Sequence, residues 1–376
     1  MTIYLDCNAT TPVEPKVQEE VFRYMAVEFG NAGSRTHEYG ARAKQAVERA
    51  RDSVAAVAKA KRDEVIFTSG ATESNNLVIL GLAPHGEKTQ RRHIVSTQIE
   101  HKAVLEPLEA LAGRGFEITL VPPTKGGWVD AAQIKGAVRD DTLLVSVMQI
   151  NNETGVIQPV SEIAEMLREH PSYIHVDAAQ GFGKEITPLQ NQRIDFISVS
   201  GHKVYAPKGV GALVARRRGF DRPPLTPLFF GGGQERGLRP GTLPVPLIVG
   251  LGLAAELALK QADDRSARCR EFRLNLLEAL KTLEPVINGD VERASPHVLN
   301  VSFPGVDSEA LMVALKDCIA VSNGSACTSQ SYQPSHVLKA MGLPESVIKG
   351  AVRFSWCHMT EIPDWNEVVG IINKLR

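Results

Sequence analysis

Short runs that are apolar at nearly every position alternate with helical stretches from about residue 15 to residue 258. The predicted strands are Glu64–Thr68, His93–Thr97, Glu117–Val121, Leu143–Gln149, Tyr173–Val176, Phe196–Val199 and Gly211–Val214. Patterns such as Val47–Lys59 and Ile163–Glu169 lie between them and predict helices. Strands without a polar face suit a sheet covered on both sides, and their alternation with helices is typical of parallel strands. The pattern predicts an α/β fold with a mostly parallel central sheet between helices.

A second unit is predicted after this region. Pro244–Ile248 leads into a long helical pattern that reaches Leu283 and acts as a connector. Val298–Phe303, Ser308–Leu315 and Ile319–Ser322 then predict a smaller α+β unit. Because 376 residues exceed the size at which one core usually stops growing, we expect two domains. They are a large domain at 15–258 and a small domain built from 1–14 and 259–376.

Composition and charge narrow the class of function. The net charge is −1 and neither terminus is a basic or acidic tail, so we expect no direct nucleic-acid binding. No apolar run reaches the roughly 20 residues of a membrane span, and the N-terminus lacks a signal-peptide pattern. The five cysteines are scattered, odd in number and without zinc-ligand spacing. We therefore expect a cytoplasmic protein with no membrane association and no metal site.

Polar clusters follow five of the predicted strands, at the point where each strand ends. They are Thr68–Ser74, His101, Ile150–Gly155, Asp177–Gln180 and the group Ser200, His202 and Lys203. Ligands of open α/β sheets collect outside the carboxyl ends of the strands, so we expect these clusters to converge. Each has a simpler explanation when taken alone: Thr72 or Ser74 could cap a helix, and His101 could be a buried, hydrogen-bonded core residue.

The converging groups suit one cofactor chemistry. A pyridoxal phosphate ring needs a lysine for its Schiff base, a fixed carboxylate at its pyridine nitrogen and a cup for its phosphate. Lys203 supplies the first and Asp177, directly after a strand, supplies the second. The cup is predicted at a small-residue turn that feeds a helix N-terminus, Ala71-Thr72, with Ser200 and His202.

The sequence resembles the PLP-dependent cysteine desulfurases of the NifS/IscS type, which have PLP fold type I and belong to aminotransferase class V. The resemblance covers nearly the whole chain. It rests on YLDCNATTP, GNAGSRTH, FTSGATESNN, IEHKAV, NNETG, VDAAQ, SGHK, GGGQERGLRPGT, NGSACTS and VRFS, in the family's order. It implies conversion of L-cysteine to L-alanine, with the sulfur passed on to an acceptor protein.

The resemblance also implies roles for individual residues. The cofactor would be linked to Lys203, with Asp177 at the pyridine nitrogen, His101 stacked on the ring and Gln180 near its hydroxyl. Thr72, Ser200 and His202 would bind the phosphate, and Ala71 and Asn152 would also contact the cofactor. Thr242 would reach the phosphate of the neighbouring subunit, which implies a homodimer. Arg353 would grip the substrate carboxylate in two places, assisted by Asn8 and Asn152.

Cys327 differs from the other four cysteines in its surroundings. Small and polar residues flank it in Asn323-Gly-Ser-Ala-Cys327-Thr-Ser, which suits an exposed thiolate rather than a buried sulfur. The segment resembles the desulfurases with a longer catalytic loop, in which this cysteine takes the sulfur as a persulfide. Cys269 and Cys318 fit buried positions, and we assign no direct role to Cys7 and Cys357, which lie near motifs.

Three segments depart from the family pattern. Asn31-Ala-Gly-Ser34 stands where Asn-Pro-Ser-Ser is usual, Arg239-Pro-Gly-Thr242 where Arg-Ser-Gly-Thr is usual, and Trp356-Cys357 where Leu-Gly is common. The chain also ends at Arg376, without the longer tail with which members that feed an iron–sulfur scaffold dock it. Iron–sulfur assembly, tRNA thiolation and DNA phosphorothioation all remain open as destinations. The missing tail favours a dedicated system such as DNA phosphorothioation, the DndA type.

Other functions are weighed against this one. A selenocysteine lyase or a transaminase would share the fold, but transamination needs no mobile thiol, so Cys327 argues against it. A nicotinamide-dependent oxidoreductase is suggested by Gly250-Leu-Gly-Leu-Ala-Ala255, which matches G-x-G-x-x-A. That signal is weak because it lies in a helical pattern without a ribose-binding acid at the end of a second strand.

Overall fold

The computed structural model describes residues 2–323 and 334–376. Its strands are β1 (Ile3–Tyr4), β2 (Val65–Thr68), β3 (His93–Thr97), β4 (Glu117–Val121), β5 (Thr142–Met148), β6 (Tyr173–Asp177), β7 (Phe196–Ser200), β8 (Gly211–Ala215), β9 (Val286–Ile287), β10 (Val298–Ser302), β11 (Ile319–Ala320) and β12 (Ala351–Ser355). Its helices are α1 (Pro15–Ala26), α2 (Glu38–Val57), α3 (Ala71–Thr89), α4 (Lys102–Ala112), α5 (Ala131–Ala137), α6 (Val160–Met166), α7 (Val245–Lys260), α8 (Ala262–Leu280), α9 (Ser308–Leu315), α10 (His336–Ala340), α11 (Glu345–Lys349) and α12 (Trp365–Leu375).

Seven strands form one large sheet in the order β2-β8-β7-β6-β5-β3-β4. All neighbours pair in parallel except β8, which is antiparallel to both β2 and β7. Six carboxyl ends therefore lie along one edge of the sheet, and β8 begins at that same edge. Strands β2, β3, β5, β7 and β8 are buried at every position, which explains why their sequences carry no polar face.

The predicted α/β fold is confirmed, and the predicted strands of the large sheet match the structure to within one residue. The prediction of one long connector helix is wrong in one respect. The connector is two helices, α7 and α8, which meet at a bend of 77° near Gln261. Within the described residues, no single helix is long and apolar enough to span a membrane. In that part of the chain, only the bent pair α7–α8, taken together, has the length and composition of a span.

The glycine pattern Gly250–Ala255 lies inside α7 and not at a strand-to-helix turn. Helix α7 packs against α1 and α2, and its glycines allow this close approach. A Cβ added to Gly252 would lie 2.5 Å from the Cα of Ala50, and one added to Gly250 would lie 2.7 Å from a Val21 methyl. These glycines therefore serve helix packing, and the structure gives the nicotinamide alternative no support.

A second hydrophobic core surrounds a smaller sheet of order β12-β10-β9, covered by α8, α9 and α12. The N-terminal strand β1 pairs with β11, and Asp6 forms a bridge to Ser355 at the end of β12. The chain thus begins in this second core and then crosses to the large sheet at Cys7–Thr11. The domain boundaries drawn from the sequence stay a prediction, and α10 and α11, which fall in the predicted small domain, place Val337, Leu338 and Ile348 in the core of the large sheet.

Candidate active site at the carboxyl edge of the large sheet

A cavity of about 550 Å³ opens at the sheet edge where the six strands end. It is lined by Asn8, Ala9, Ser69, Gly70, Ala71, Thr72, Asn75, His101, Ala103, Met148, Ile150, Asn152, Asp177, Ala179, Gln180, Ser200, His202, Lys203, Lys208, Gly209 and Arg353. Every site residue named from the sequence lines this cavity, apart from Thr242 and Cys327. Thr242 lies elsewhere, and Cys327 lies outside the described residues.

Lys203 follows β7 in a single 3₁₀ turn, and its amine meets the backbone of the N-terminal crossing segment. Its Nζ donates a hydrogen bond to the carbonyl oxygen of Asn8. The same oxygen accepts a hydrogen bond from Gln180 Nε2 at 2.9 Å. Lys203 and Gln180, both assigned to the cofactor from the sequence, therefore share one backbone acceptor. The sequence motifs do not predict this acceptor, because they concern side chains.

Asp177 ends β6 and is buried, with each carboxylate oxygen accepting a hydrogen bond. Asn75 Nδ2 donates to Oδ2 at 2.7 Å, and the backbone N–H of Ala179 donates to Oδ1 at 2.9 Å. Asn75 lies in the first turns of α3, so it ties the helix to the carboxylate. Sequence reasoning missed Asn75, although it stands inside the quoted motif FTSGATESNN. The arrangement fixes the position and orientation of the carboxylate.

The turn before α3 is built from small residues and backbone. The helix begins at Ala71, and its N-cap, Gly70, supplies no side-chain cap. Thr72 lies inside the first turn, and Ser74 instead donates its hydroxyl to the Ala212 carbonyl at 3.1 Å. The capping explanation for Thr72 and Ser74 is therefore wrong. What remains is a helix N-terminus open to the cavity, where N–H groups and the helix dipole favour an anion.

His202 lies beside this turn and is held by the N-terminal segment. Its Nδ1 lies 3.1 Å from Thr10 Oγ1, and its carbonyl accepts hydrogen bonds from both the N–H and the hydroxyl of Thr11. Burial, with added repulsion from Lys203 and Lys208, lowers the pKa of His202 to about 4. Its imidazole is therefore neutral at physiological pH and can offer a hydrogen bond without carrying charge.

His101 is the N-cap of α4. Its Nδ1 accepts a hydrogen bond from the N–H of Ala103 at 3.1 Å, which places the proton of a neutral ring on Nε2. Beneath it, Glu100 is fully buried and accepts hydrogen bonds from Thr97 Oγ1 and the Met148 N–H. Burial raises the pKa of Glu100 to about 8. Glu100 and Glu153, a second buried carboxyl whose pKa burial raises, were not singled out from the sequence.

Arg353 approaches the cavity from β12 and is already paired. Its Nη2 donates to Asp6 Oδ1 at 2.6 Å, and its Nη1 donates to the Asn152 carbonyl at 2.9 Å. Asn8 Nδ2 donates to that same carbonyl at 3.1 Å. The three residues predicted to hold a substrate carboxylate are thus joined to each other, with Asp6 as an internal anion. Asp6 was not predicted, because nothing in its sequence neighbourhood shows that it faces Arg353.

Thr242 is exposed and lines a separate cavity of about 390 Å³. Its other walls are Asn31, Ala32, Gly33, Ser34, Gln234, Glu235 and Leu243. Two of the segments that depart from the family pattern, Asn31–Ser34 and Arg239–Thr242, therefore lie close together. Exposed aromatic rings flank both walls in sequence, with Phe29 at 66% and Phe230 at 86% exposure.

The third segment that departs from the family pattern, Trp356-Cys357, is buried and serves packing. Trp356 is fully buried, stacks on Phe272 at a centroid distance of 4.9 Å and donates from Nε1 to the Cys269 carbonyl. Cys357 packs with Cys7 and Tyr205 in a small buried cluster. A hydrogen bond donated by the Cys7 thiol to Cys357, together with burial, raises the pKa of Cys7, and the same bond lowers the pKa of Cys357 to about 6.

Cys269 is buried as expected, and burial raises the pKa of its thiol to about 12. Cys318 is half-buried rather than buried, with its thiol donating to the Leu315 carbonyl at 3.2 Å. The four cysteines in the described part of the chain are all free thiols. Among the same residues, no cluster of histidine, cysteine and acidic side chains could hold a metal ion.

Comparison with known proteins gives a single answer. Residues 3–366 match the aminotransferase class-V family. The chain is 46% identical to the cysteine desulfurase IscS of Vibrio cholerae serotype O1 over 383 residues, covering 100% of this chain and 94% of that protein. Among solved structures, DndA from Streptomyces lividans is 54% identical with a TM-score of 0.83, covering 93% of this chain and 98% of that one. A NifS-like protein is 37% identical with a TM-score of 0.90, covering 100% and 98%.

Proposed function

Because this chain belongs to the aminotransferase class-V family, we propose that it is a cysteine desulfurase. It converts L-cysteine to L-alanine and passes the sulfur, as a persulfide on Cys327, to an acceptor protein. IscS, which matches this chain over its whole length, is a cysteine desulfurase. A further similar structure, SspA at 35% identity and a TM-score of 0.83 over 96% of this chain and all of that one, was solved in complex with cysteine. The observation that carries the proposal is one cavity holding Lys203, the fixed carboxylate of Asp177 and Arg353.

The cavity fits pyridoxal phosphate. Two buried acceptor atoms of cavity-lining residues, Gln180 Oε1 and Asn75 Oδ1, have no hydrogen-bond partner among the described residues, as expected where a ligand completes the hydrogen bonding. Asp177 is held on both oxygens and can keep a pyridine nitrogen protonated. Ala71, Thr72, Ser200 and His202 would hold the phosphate, with Gln180 near the ring hydroxyl and His101 and Asn152 at the ring.

When bound, pyridoxal phosphate acts as an electron sink that stabilises negative charge developing on the substrate's Cα. Side chains of the protein then bind the substrate and transfer its protons. Arg353, with Asn8 and Asn152, holds the substrate carboxylate and fixes its orientation. Lys203 takes the proton from Cα, and His101, whose Nδ1 accepts the N–H of Ala103 and leaves Nε2 for proton exchange, is placed to shuttle protons to and from the substrate.

Cys327 completes the sulfur transfer. Its thiolate attacks the substrate sulfur, so a sulfur–sulfur bond forms while the bond between Cβ and sulfur breaks. The electron pair of the broken bond stays with the carbon side and is protonated, which yields alanine. The sulfur is left on Cys327 at the persulfide level, and a second thiol on an acceptor can take it in the same kind of exchange.

The active unit is proposed to be a homodimer. Thr242 lies away from the main cavity of its own chain, so it can contribute to a phosphate site only in a second copy. Phe22, Met25, Phe29 and Phe230 are more than half exposed, which suits an apolar contact between subunits. In this arrangement the departures at Asn31–Ser34 and Arg239–Thr242 would both lie at the subunit contact.

The decisive experiment is Cys327→Ser. The variant should keep the yellow colour of the bound cofactor and still shift its spectrum when cysteine is added, because the cofactor and carboxylate contacts remain. It should release no alanine and accumulate no labelled sulfur, because a hydroxyl is a poor nucleophile toward sulfur. Loss of turnover by about 10³-fold or more, measured as alanine formed per cofactor, is the expected size.

Cys318→Ser is the matched control, since this half-buried thiol lies on the second core and should leave turnover unchanged. Near-normal desulfuration by Cys327→Ser, or a persulfide mapped by mass spectrometry to Cys7, Cys269, Cys318 or Cys357, would overturn the assignment. Borohydride reduction of the wild-type enzyme should fix the cofactor to Lys203. A cofactor-labelled peptide from elsewhere in the chain would contradict that role.

For the destination of the sulfur, we propose DNA phosphorothioation. The support is the 54% identity to DndA across 93% of this chain, against 46% to IscS. In a strain lacking the gene for this chain, phosphorothioate linkages in genomic DNA should disappear, and wild-type but not Cys327→Ser protein should restore them. Intact phosphorothioate with loss of iron–sulfur enzyme activity or of thiolated tRNA would instead favour the other two destinations.

A further inference from the structure

Among the described residues that line the cavity, Lys208 is the one ionisable side chain that neither the sequence motifs nor the proposed mechanism uses. It is exposed and stands in the loop between the Lys203 turn and β8. Within the described residues, the structure shows no hydrogen bond and no ion pair for its amine. Because β8 runs antiparallel to β2 and β7, the start of β8 returns to the edge where those strands end.

The backbone places Lys208 against the turn before α3. Gly211 pairs with both Thr68 and Ser200, the last residues of the flanking strands. A Cβ on Gly211 would lie only 2.5 Å from the Cα of Gly70, so the two glycine backbones are in contact. Gly209 has a φ of +84°, a conformation that glycine adopts readily, and this turn brings Lys208 back over the cavity.

The charges around that turn are unbalanced for a dianionic ligand. Thr72 and Ser200 offer neutral hydroxyls, and His202 is neutral at physiological pH. Arg353 is held by Asp6 at the other end of the cavity, and Lys203 is bonded to the Asn8 carbonyl. The N-terminus of α3 contributes about half a unit of positive charge. A phosphate bound there needs more positive charge than these groups provide.

We propose that Lys208 is a cofactor-binding residue whose amine neutralises the phosphate of pyridoxal phosphate. Lys208 also lies close enough to the imidazole of His202 for its charge to add to burial in lowering the pKa of that group. The inference rests on the proposed function only in taking pyridoxal phosphate as the ligand. It makes Lys208 a determinant of how tightly the cofactor is held and not of the chemistry at the substrate.

The test compares two ligands on the same apoenzyme. Full-length dimeric apoenzyme is titrated with pyridoxal phosphate and, separately, with phosphate-free pyridoxal, following the absorbance of bound cofactor. Lys208→Met should raise the Kd for pyridoxal phosphate by about 5–20-fold, because a charge-assisted hydrogen bond to a phosphate is lost. Its Kd for pyridoxal should stay within about twofold of wild type, while Lys208→Arg should retain most of the affinity for pyridoxal phosphate.

Lys135→Met, an exposed lysine on α5, is the matched control for loss of one surface charge and should change neither Kd. An unchanged Kd for pyridoxal phosphate in Lys208→Met overturns the proposal. So does an equal loss for both ligands, which would indicate a structural role, or a raised KM for cysteine at unchanged cofactor affinity. If wild-type apoenzyme bound neither ligand, the proposed function itself would fail.

Discussion

The main cavity has two ends that we propose bind anions, the Arg353 end for the substrate carboxylate and the α3 N-terminus for the cofactor phosphate, and their charged groups are arranged in opposite ways. At the carboxylate end, Arg353 is buried and already paired with Asp6 at 2.6 Å. At the phosphate end, neutral groups and backbone surround an open helix N-terminus, and the cation Lys208 is exposed at the rim. One end holds its positive charge in a preformed ion pair, whereas the other keeps it at the surface until a ligand arrives.

This difference follows from how long each ligand stays. A cofactor remains bound through many turnovers, so its phosphate can be held by fixed dipoles whose orientation costs little on binding. A substrate must enter and leave in every cycle. An internal anion at Arg353 keeps the guanidinium oriented between cycles, and an incoming carboxylate competes with Asp6 rather than meeting a bare, buried charge.

Arg353→Ala should have the largest effect on the KM for cysteine. A small effect would contradict the proposed difference between the two ends of the cavity. Losing a desolvated ionic partner costs about 2–5 kcal/mol, so the KM for cysteine should rise by at least about 30-fold. Bound cofactor, measured by absorbance, should stay near one per chain because the phosphate end is untouched. An unchanged KM with normal turnover would remove Arg353 from the substrate site.

Asp6→Asn is the matched variant, and we expect it to change the KM for cysteine in the opposite direction from Arg353→Ala. Without the internal anion, Arg353 is left for the substrate alone, and we expect the KM for cysteine to fall by about 2–5-fold. The loss of a partner for a buried guanidinium should also lower the free energy of unfolding by about 1–3 kcal/mol. A KM that rises as it does in Arg353→Ala would mean that Asp6 orients the arginine instead of competing with substrate.

The smallest effect on catalysis is expected beneath the cavity, at Glu100, a buried carboxyl that forms no ion pair within residues 2–323 and 334–376. Its pKa is raised from 4.5 to about 8 by burial, so the folded state keeps a proton that the unfolded state loses above pH 4.5. Stability therefore falls as pH rises from about 4.5 to 8, with a slope of at most about 1.4 kcal/mol per pH unit from this group.

Glu100→Gln should remove that part of the pH dependence, so its advantage over wild type should grow from pH 5 to pH 8. Urea unfolding of the holoenzyme at several pH values measures it. Glu106→Gln, an exposed residue of α4, is the control and should follow wild type across the same range. Parallel curves for Glu100→Gln and wild type would show that Glu100 is charged throughout.

The cavity could be predicted from the sequence to the extent that its residues follow strands. Asp177 ends β6 and Lys203 follows β7, so the parallel order alone brings them to one edge. Asn75 could have been found as well, since it lies in a quoted motif one helical turn after the predicted cup. The bend that divides α7 from α8 could not, because the helical pattern continues across Gln261 and only packing on two different cores shows the break.

The order of the elements and the chemical groups at their ends could therefore be predicted from the sequence alone, because both are local and periodic. Only the tertiary structure decided which charges meet. Asp6 and Arg353 are 347 residues apart and pair because Asp6 bridges to Ser355 at the end of β12. Lys208 lies at the same cavity as the turn before α3 because β8 is antiparallel, and strand direction within a sheet is set by long-range pairing that leaves no mark on an all-apolar strand.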